Sequence, residues 1–220
     1  MAVTLAEEIM LLSLDDESGS AKQRQAAGWA VAGGILLELV LAGRVAVRGK
    51  HLELVDAAPT GDPLLDGRAA LIASWLGARG RRRVTDWLTK DQAKAVSATL
   101  ERLCARGVVV EERRMALGMF PIRRYPEADG AVERELRDRL RGVVLAGAEP
   151  DTRTAGLIGL LHASKLHRLA FPEGPARQIA SRMEEVATGQ WAAESVRSAL
   201  RDMQAAMAAV TVITVVTAAG

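Results

Sequence analysis

The sequence is poor in the residues that build disulfide-bound or metal-bound domains. Among 220 residues there are one cysteine, Cys104, and three histidines. A single thiol excludes an internal disulfide and points to a reducing cytoplasm. Aromatic residues make up only 3%, so the core must be assembled from Leu, Val, Ala, Ile and Met. An excess of one charge is also missing. Lys and Arg number 29 against 27 Asp and Glu, a net charge of +2. That balance identifies no partner, and the placement of charge matters more than its total. The chain has no Gly-rich phosphate loop, CxxC pair or triad pattern. With no catalytic constellation in view, the reading is non-enzymatic and without a cofactor. No metal site is expected either. His162 and His167 are five apart, the wrong spacing for two ligands on one helix face, and His51 is remote in sequence.

What is present is apolar, helix-forming sequence. Hydrophobic residues make up 49% and charged residues 25%, the balance of an ordinary globular protein. This length buries a sizeable core, and Ala and Leu favour helices. The expected fold is mainly α: a compact single-domain helical bundle over 1–220 around a buried central helix, with small β-hairpins. The central helix is expected over Ala21 to Leu41. From Trp29 the run holds only Glu38 and Arg44 as charges before Arg48 ends it. Met203 to Gly220 is 18 residues without charge, at the lower limit for a membrane span. Glu38 interrupts the first run and no basic flank follows the second, so both are expected as buried core elements. Glu7 and Glu8 stand early with no basic region before them, so no signal peptide is expected.

Local signals divide the chain further. Thr4 and Glu7 form a capping box for a helix over Val3 to Leu14. Gly33-Gly34 in the central helix predicts a close approach by another backbone. Two β-prone runs around Gly49-Lys50 predict a hairpin. Asp62 followed by Pro63 starts a helix running to about Leu76. The stretch GARGRRR, Gly77 to Arg83, reads as a basic loop. A short helix over Val84 to Leu88, a longer one over Lys90 to Arg106 and a strand over Val108 to Glu112 follow. Asp151 caps a helix to Ala163. Ala176 to Thr188 and Gln190 to about Val216 close the chain as helices. Opposite charges such as Glu133 with Arg137 and Glu135 with Arg139 predict a solvated helix face.

Four stretches carry a resemblance: LAEEIMLLSLDDESG (Leu5 to Gly19), ILLELVLAGRV (Ile35 to Val45), APTGDPLLD (Ala58 to Asp66) and PDTRTAGLIGLLHAS (Pro150 to Ser164). In order and spacing the chain resembles the Golgi phosphoprotein 3 family over roughly Val3 to Ala208. Its Ala- and Arg-rich composition and short loops look like a bacterial member. The resemblance implies a peripheral, cytoplasmic membrane-associated protein that binds phosphoinositide or another anionic phospholipid, with a protein partner at the membrane. Eukaryotic members hold phosphatidylinositol 4-phosphate with a tryptophan and several arginines. At those positions this chain carries Gln23, Ala32, Glu149 and Thr152, while Arg153 matches a neighbouring arginine. Arg24 and Trp29 are the nearby residues able to stand in. The resemblance therefore implies the scaffold more firmly than the ligand.

Arg153 near a helix start is read either as part of an anion site or as a surface pair with Asp151 or Glu149. The run Arg79, Arg81, Arg82 and Arg83 is read as a basic patch facing an anionic membrane or as a solvated loop. Trp75 and Trp87 flank it as interfacial side chains or local core anchors. Asp62 and Asp66 are four apart, but Asp62 is better explained as a cap. The alternative function is nucleic-acid binding by a winged-helix-like segment at 84–125, with Arg113, Arg114, Arg123 and Arg124 in the wing. Glu111 and Glu112 in the same element weigh against it.

Overall fold

The chain folds around two helices that begin it. Thr4 caps α1 (Leu5–Ser13): its hydroxyl accepts from the Glu7 amide at 3.2 Å, and Glu7 accepts from the Thr4 amide at 2.7 Å. All of α1 is buried, including Glu7 and Glu8. It packs on α2 (Arg24–Leu41), which α4 (Val84–Ala105) and α6 (Thr152–Ala163) also flank. The computed structural model describes residues 3–14, 22–116, 120–128, 130–189, 197–198 and 200–209.

Gly34 is what lets α1 lie so close to α2. A Cβ there would stand 3.0 Å from the Ala6 amide nitrogen and 3.2 Å from the Leu5 carbonyl carbon. Those are backbone atoms, which cannot rotate away. Gly34→Ala is therefore expected to destabilise by about 1–3 kcal/mol, although alanine is the better helix former. Denaturant unfolding measures this, and an unchanged midpoint would contradict the packing. Gly33 faces side chains instead, those of Leu160 and Met207.

The hairpin expected around Gly49-Lys50 is present as β1 (Val45–Arg48) and β2 (His51–Leu54). The basic stretch after α3 (Pro63–Leu76) is not a loop. It makes one 3-10 turn, Gly77–Arg79, and then strand β3 (Arg81–Arg83). Strand β3 pairs antiparallel with β2, placing His51 opposite Arg83 and Glu53 opposite Arg81. The outer edge of β2 would otherwise carry unpaired amides and carbonyls. Gly77 and Gly80, with φ of 50° and 66°, turn the chain back along it.

A second correction concerns the next helices. The two expected over 84–106 are one, α4 (Val84–Ala105). Its buried residues, Val84, Trp87, Leu88, Asp91, Ala95, Thr99 and Leu103, form one unbroken stripe across the expected break at Thr89. Asp91 and Thr99 interrupt the apolar pattern without interrupting the buried face. The strand expected over Val108 to Glu112 also moves. Val109 makes only a bridge to Glu127, and the hairpin is β4 (Glu112–Ala116) with β5 (Phe120–Arg124).

The remaining described elements are α5 (Ala131–Val144), α6 (Thr152–Ala163), α7 (His167–Ala170), α8 (Ala176–Thr188) and a helix over 200–209, here α9. The rest of the expected last helix, 190–196 and 210–216, lies outside the described residues. Glu133 pairs with Arg137, but not on the solvated face expected: Glu133 is buried, and Arg137 also donates to the Leu169 and Ala170 carbonyls. Arg139 reaches Glu8 at 2.8 Å. One described helix, α2, is long and apolar enough to cross a membrane by composition. Its central residues, Ala27 to Leu37, are buried in the core.

Candidate functional site

The arginine run forms a cleft. Arg79 comes from the 3-10 turn and Arg81 to Arg83 from β3. His51 on β2, Trp75 near the end of α3 and Asp86 in the first turn of α4 complete its lining. The cavity is about 420 Å³. Side chains alternate along a strand, so Arg81 and Arg83 share one face of β3 and Arg82 takes the other. The Arg82 guanidinium lies 5.0 Å from the centre of the Trp75 ring. Trp75 packs on buried Trp87 with ring centres 5.4 Å apart. These tryptophans anchor the local core, and Arg82 is held by the cation–π contact.

Arg79, Arg81 and Arg83 are exposed and make no ion pair among the described residues. Asp86 is the single carboxylate in the lining. The cleft also abuts the start of α4, whose cap residue Arg83 supplies no side-chain hydrogen bond. The Val84 amide donates to the Lys50 carbonyl at 3.0 Å, and the amides that follow it lie at the positive end of the helix dipole. Four guanidiniums, a histidine and the start of a helix concentrate positive charge here. The sequence showed the arginine run. It did not show that pairing and packing would bring His51, Trp75 and Asp86 to it.

The three residues proposed from the family's head-group pocket do not come together. Trp29 is 4% exposed and its indole nitrogen is buried without a hydrogen-bond partner among the described residues. Arg24 is exposed at the start of α2. Arg153 instead meets Glu38 near the end of α2, 14 residues or about 21 Å along the helix from Arg24. Of the aligned positions, Ala32 is buried in the core and Gln23 is exposed.

Arg153 occupies an ion-pair cluster rather than an open anion site. It reaches Glu8 at 2.7 Å, the Val3 carbonyl at 2.5 Å and Glu38 at 3.4 Å. Neither Asp151 nor Glu149 is its partner in these contacts. Asp151 caps α6 by accepting from the Thr154 amide at 2.6 Å. Asp62 accepts from the Leu64 and Leu65 amides and binds both arms of the Arg102 guanidinium. Burial would raise the Asp62 carboxyl, but Arg102 and these amides hold it below its ordinary range. Asp66 accepts from the Thr60 amide and hydroxyl, both at 2.6 Å. The two aspartates are structural and do not face each other across a reaction site.

These contacts explain why the four motif stretches occur together. Arg102 joins Glu7 of α1 to Asp62 before α3, and Arg153 joins Glu8 of α1 to Glu38 of α2. The motifs supply caps and buried ion pairs that clamp α1 into the bundle. Burial pushes the Glu38 carboxyl up to about 7, against the lowering effect of the Leu5 amide and Arg153. The folded protein therefore holds this proton more tightly than the unfolded chain. The associated stability is full below about 4.5 and is lost as pH rises to about 7. Glu38→Gln is expected to flatten that decline, by on the order of 2 kcal/mol at pH 8. Parallel unfolding curves from pH 4 to 8 measure it, and identical slopes would contradict it.

The segment 84–125 lacks the pair of short helices that the winged-helix outline requires, since α4 is continuous. In the wing, Arg113 and Arg123 lie 3.5 and 3.6 Å from Glu111, which offsets their charge toward a phosphate backbone. Cys104 is half-buried, and burial and then Glu111 push its thiol up. Among the described residues, no group of three metal-ligating side chains is present.

Compared with known protein families, residues 5–203 match the family model described as Golgi phosphoprotein 3. No curated protein gives a significant match.

Proposed function

The chain belongs to the Golgi phosphoprotein 3 family, and from that premise we propose that it is a non-enzymatic protein that docks on anionic phospholipid surfaces through the arginine cleft. Membership suggests a lipid-binding or adaptor role in general terms. The observation that supports this particular site is the set of exposed Arg79, Arg81 and Arg83, without an ion pair among the described residues, around one concave surface. A lipid phosphate seated there would meet guanidinium donors near the positive end of the α4 dipole. The residues at the aligned head-group positions, Gln23, Ala32, Glu149 and Thr152, offer no cationic side chain. Recognition is therefore read as charge-driven rather than specific for phosphatidylinositol 4-phosphate. Such a protein would work at the cytoplasmic face of a membrane and could hold a protein partner there.

Vesicle flotation tests this reading. Vesicles of phosphatidylcholine alone, and with phosphatidylglycerol, cardiolipin or phosphatidylinositol 4-phosphate at matched charge, would be compared. Binding to all three anionic mixtures, none to the neutral one, and release by salt is the expected pattern. Absence of binding to every mixture would overturn it.

A further inference from the structure

A second polar cleft lies away from the arginine cleft, where the end of α6 meets α8 and α9. Its cavity is about 590 Å³. His162 comes from the last turn of α6, Lys165 from the turn that follows and His167 from the start of α7. Glu184 on α8 and Arg201 and Gln204 on α9 face them across the cleft. The remaining lining is largely alanine.

Lys165 is the unusual member. Its φ is +56°, in the left-handed region. Its amide donates to the His162 carbonyl at 3.0 Å, and the Leu166 amide donates to the Leu161 carbonyl at 2.8 Å. That is the helix-ending turn in which glycine is the relaxed choice. The negative end of the α6 dipole accounts for a basic residue in the last turn, which His162 provides. It does not account for a lysine at a position that strains any side-chain-bearing residue. Lys165 makes no ion pair among the described residues. Gln204 lies against Gly159, and its Nε2 is buried without a hydrogen-bond partner among the described residues. Burial, then Arg168 and His162, hold the His167 imidazole below its ordinary range. Three separate elements thus bring donors and positive charge to one small cavity, with one carboxylate, Glu184, among them.

We propose that this cleft binds a small phosphorylated metabolite that carries a free hydroxyl or amine. Lys165, Arg201 and the two imidazoles receive the phosphate, and Glu184 accepts from the hydroxyl or amine. The site is independent of the lipid-docking cleft. The three histidines report on it in the full chain by NMR, because His162 and His167 line this cleft while His51 lines the other. The probes are inorganic phosphate, glycerol 3-phosphate and, as the uncharged control, glycerol. Glycerol 3-phosphate is expected to raise the titration midpoints of His162 and His167 and leave His51 in place. Inorganic phosphate should do so more weakly and glycerol not at all. Lys165→Gly relieves the strained φ, so it should unfold no earlier than the parent while binding glycerol 3-phosphate roughly tenfold more weakly. Vesicles containing phosphatidylglycerol should leave the two reporter histidines unmoved, which separates a free metabolite from a lipid head group. The proposal is overturned if glycerol 3-phosphate moves neither reporter. It is equally overturned if only His51 moves, or if Lys165→Gly binds as the parent does.

Discussion

Replacing Asp91 with alanine is expected to lower stability by about 3–5 kcal/mol, because it strands a buried guanidinium. Arg68 is 7% exposed and Asp91 is 3% exposed, and they meet at 2.7 Å. The pair ties α3 to α4, and Arg68 also reaches the Lys94 carbonyl at 2.5 Å. Burial raises the Asp91 carboxyl even against the pull of Arg68, so desolvation is the larger influence on this acid. The two charges tolerate burial because they share it. Removing Asp91 leaves the buried Arg68 guanidinium with the Lys94 carbonyl but without its counter-charge. Replacing both, as Arg68→Met with Asp91→Leu, should recover most of the loss. Chemical denaturation of the two single variants and the double closes the cycle. A cost below about 1 kcal/mol for Asp91→Ala would mean that the pair behaves as a solvated surface contact.

The second large effect is on binding. Converting Arg79, Arg81 and Arg83 together to alanine should weaken attachment to anionic vesicles by about 3 kcal/mol, or roughly a hundredfold, at about 1 kcal/mol per basic residue near the surface. These three are exposed, so stability should barely change. Arg82 is left out because it packs over Trp75 and its Nε is buried. The loss should shrink as salt rises and screening shortens the reach of each charge.

The parts of the fold that were legible in the sequence are those that local chemistry decides. Thr4, Asp62 and Asp151 were readable as caps because a cap acts within three residues. Gly34 was readable as a close approach because glycine in a helix needs a reason. Pairing across distance was not readable. Strand β3 exists because β2 offers an edge, and the sequence of three arginines does not announce that. The continuity of α4 was hidden because Asp91 and Thr99 occupy its buried face, and the partner of Asp91 lies 23 residues away. Arg153 shows the same limit at the site. Its carboxylate partners, Glu8 and Glu38, are 145 and 115 residues away. Nearby Asp151 and Glu149 were the only partners that sequence proximity could suggest. The arginine run itself was visible, whereas the cleft that it lines depends on register and on the turn of Trp75 toward Arg82.

The opening stretches of the chain thus take on a different meaning. Glu7, Glu8, Glu38, Asp62 and Arg153 hold α1, α2, α3, α4 and α6 together through buried ion pairs and caps. The proposed binding chemistry lies on Arg79, Arg81 and Arg83 instead. Flotation of two variants beside the parent, on vesicles containing phosphatidylglycerol, tests that separation most directly. Arg153→Lys, kept below its unfolding temperature, should float as the parent does, and the alanine triple at Arg79, Arg81 and Arg83 should stay in the soluble fraction. A triple variant that floats like the parent, or a folded Arg153→Lys that fails to float, would contradict the account.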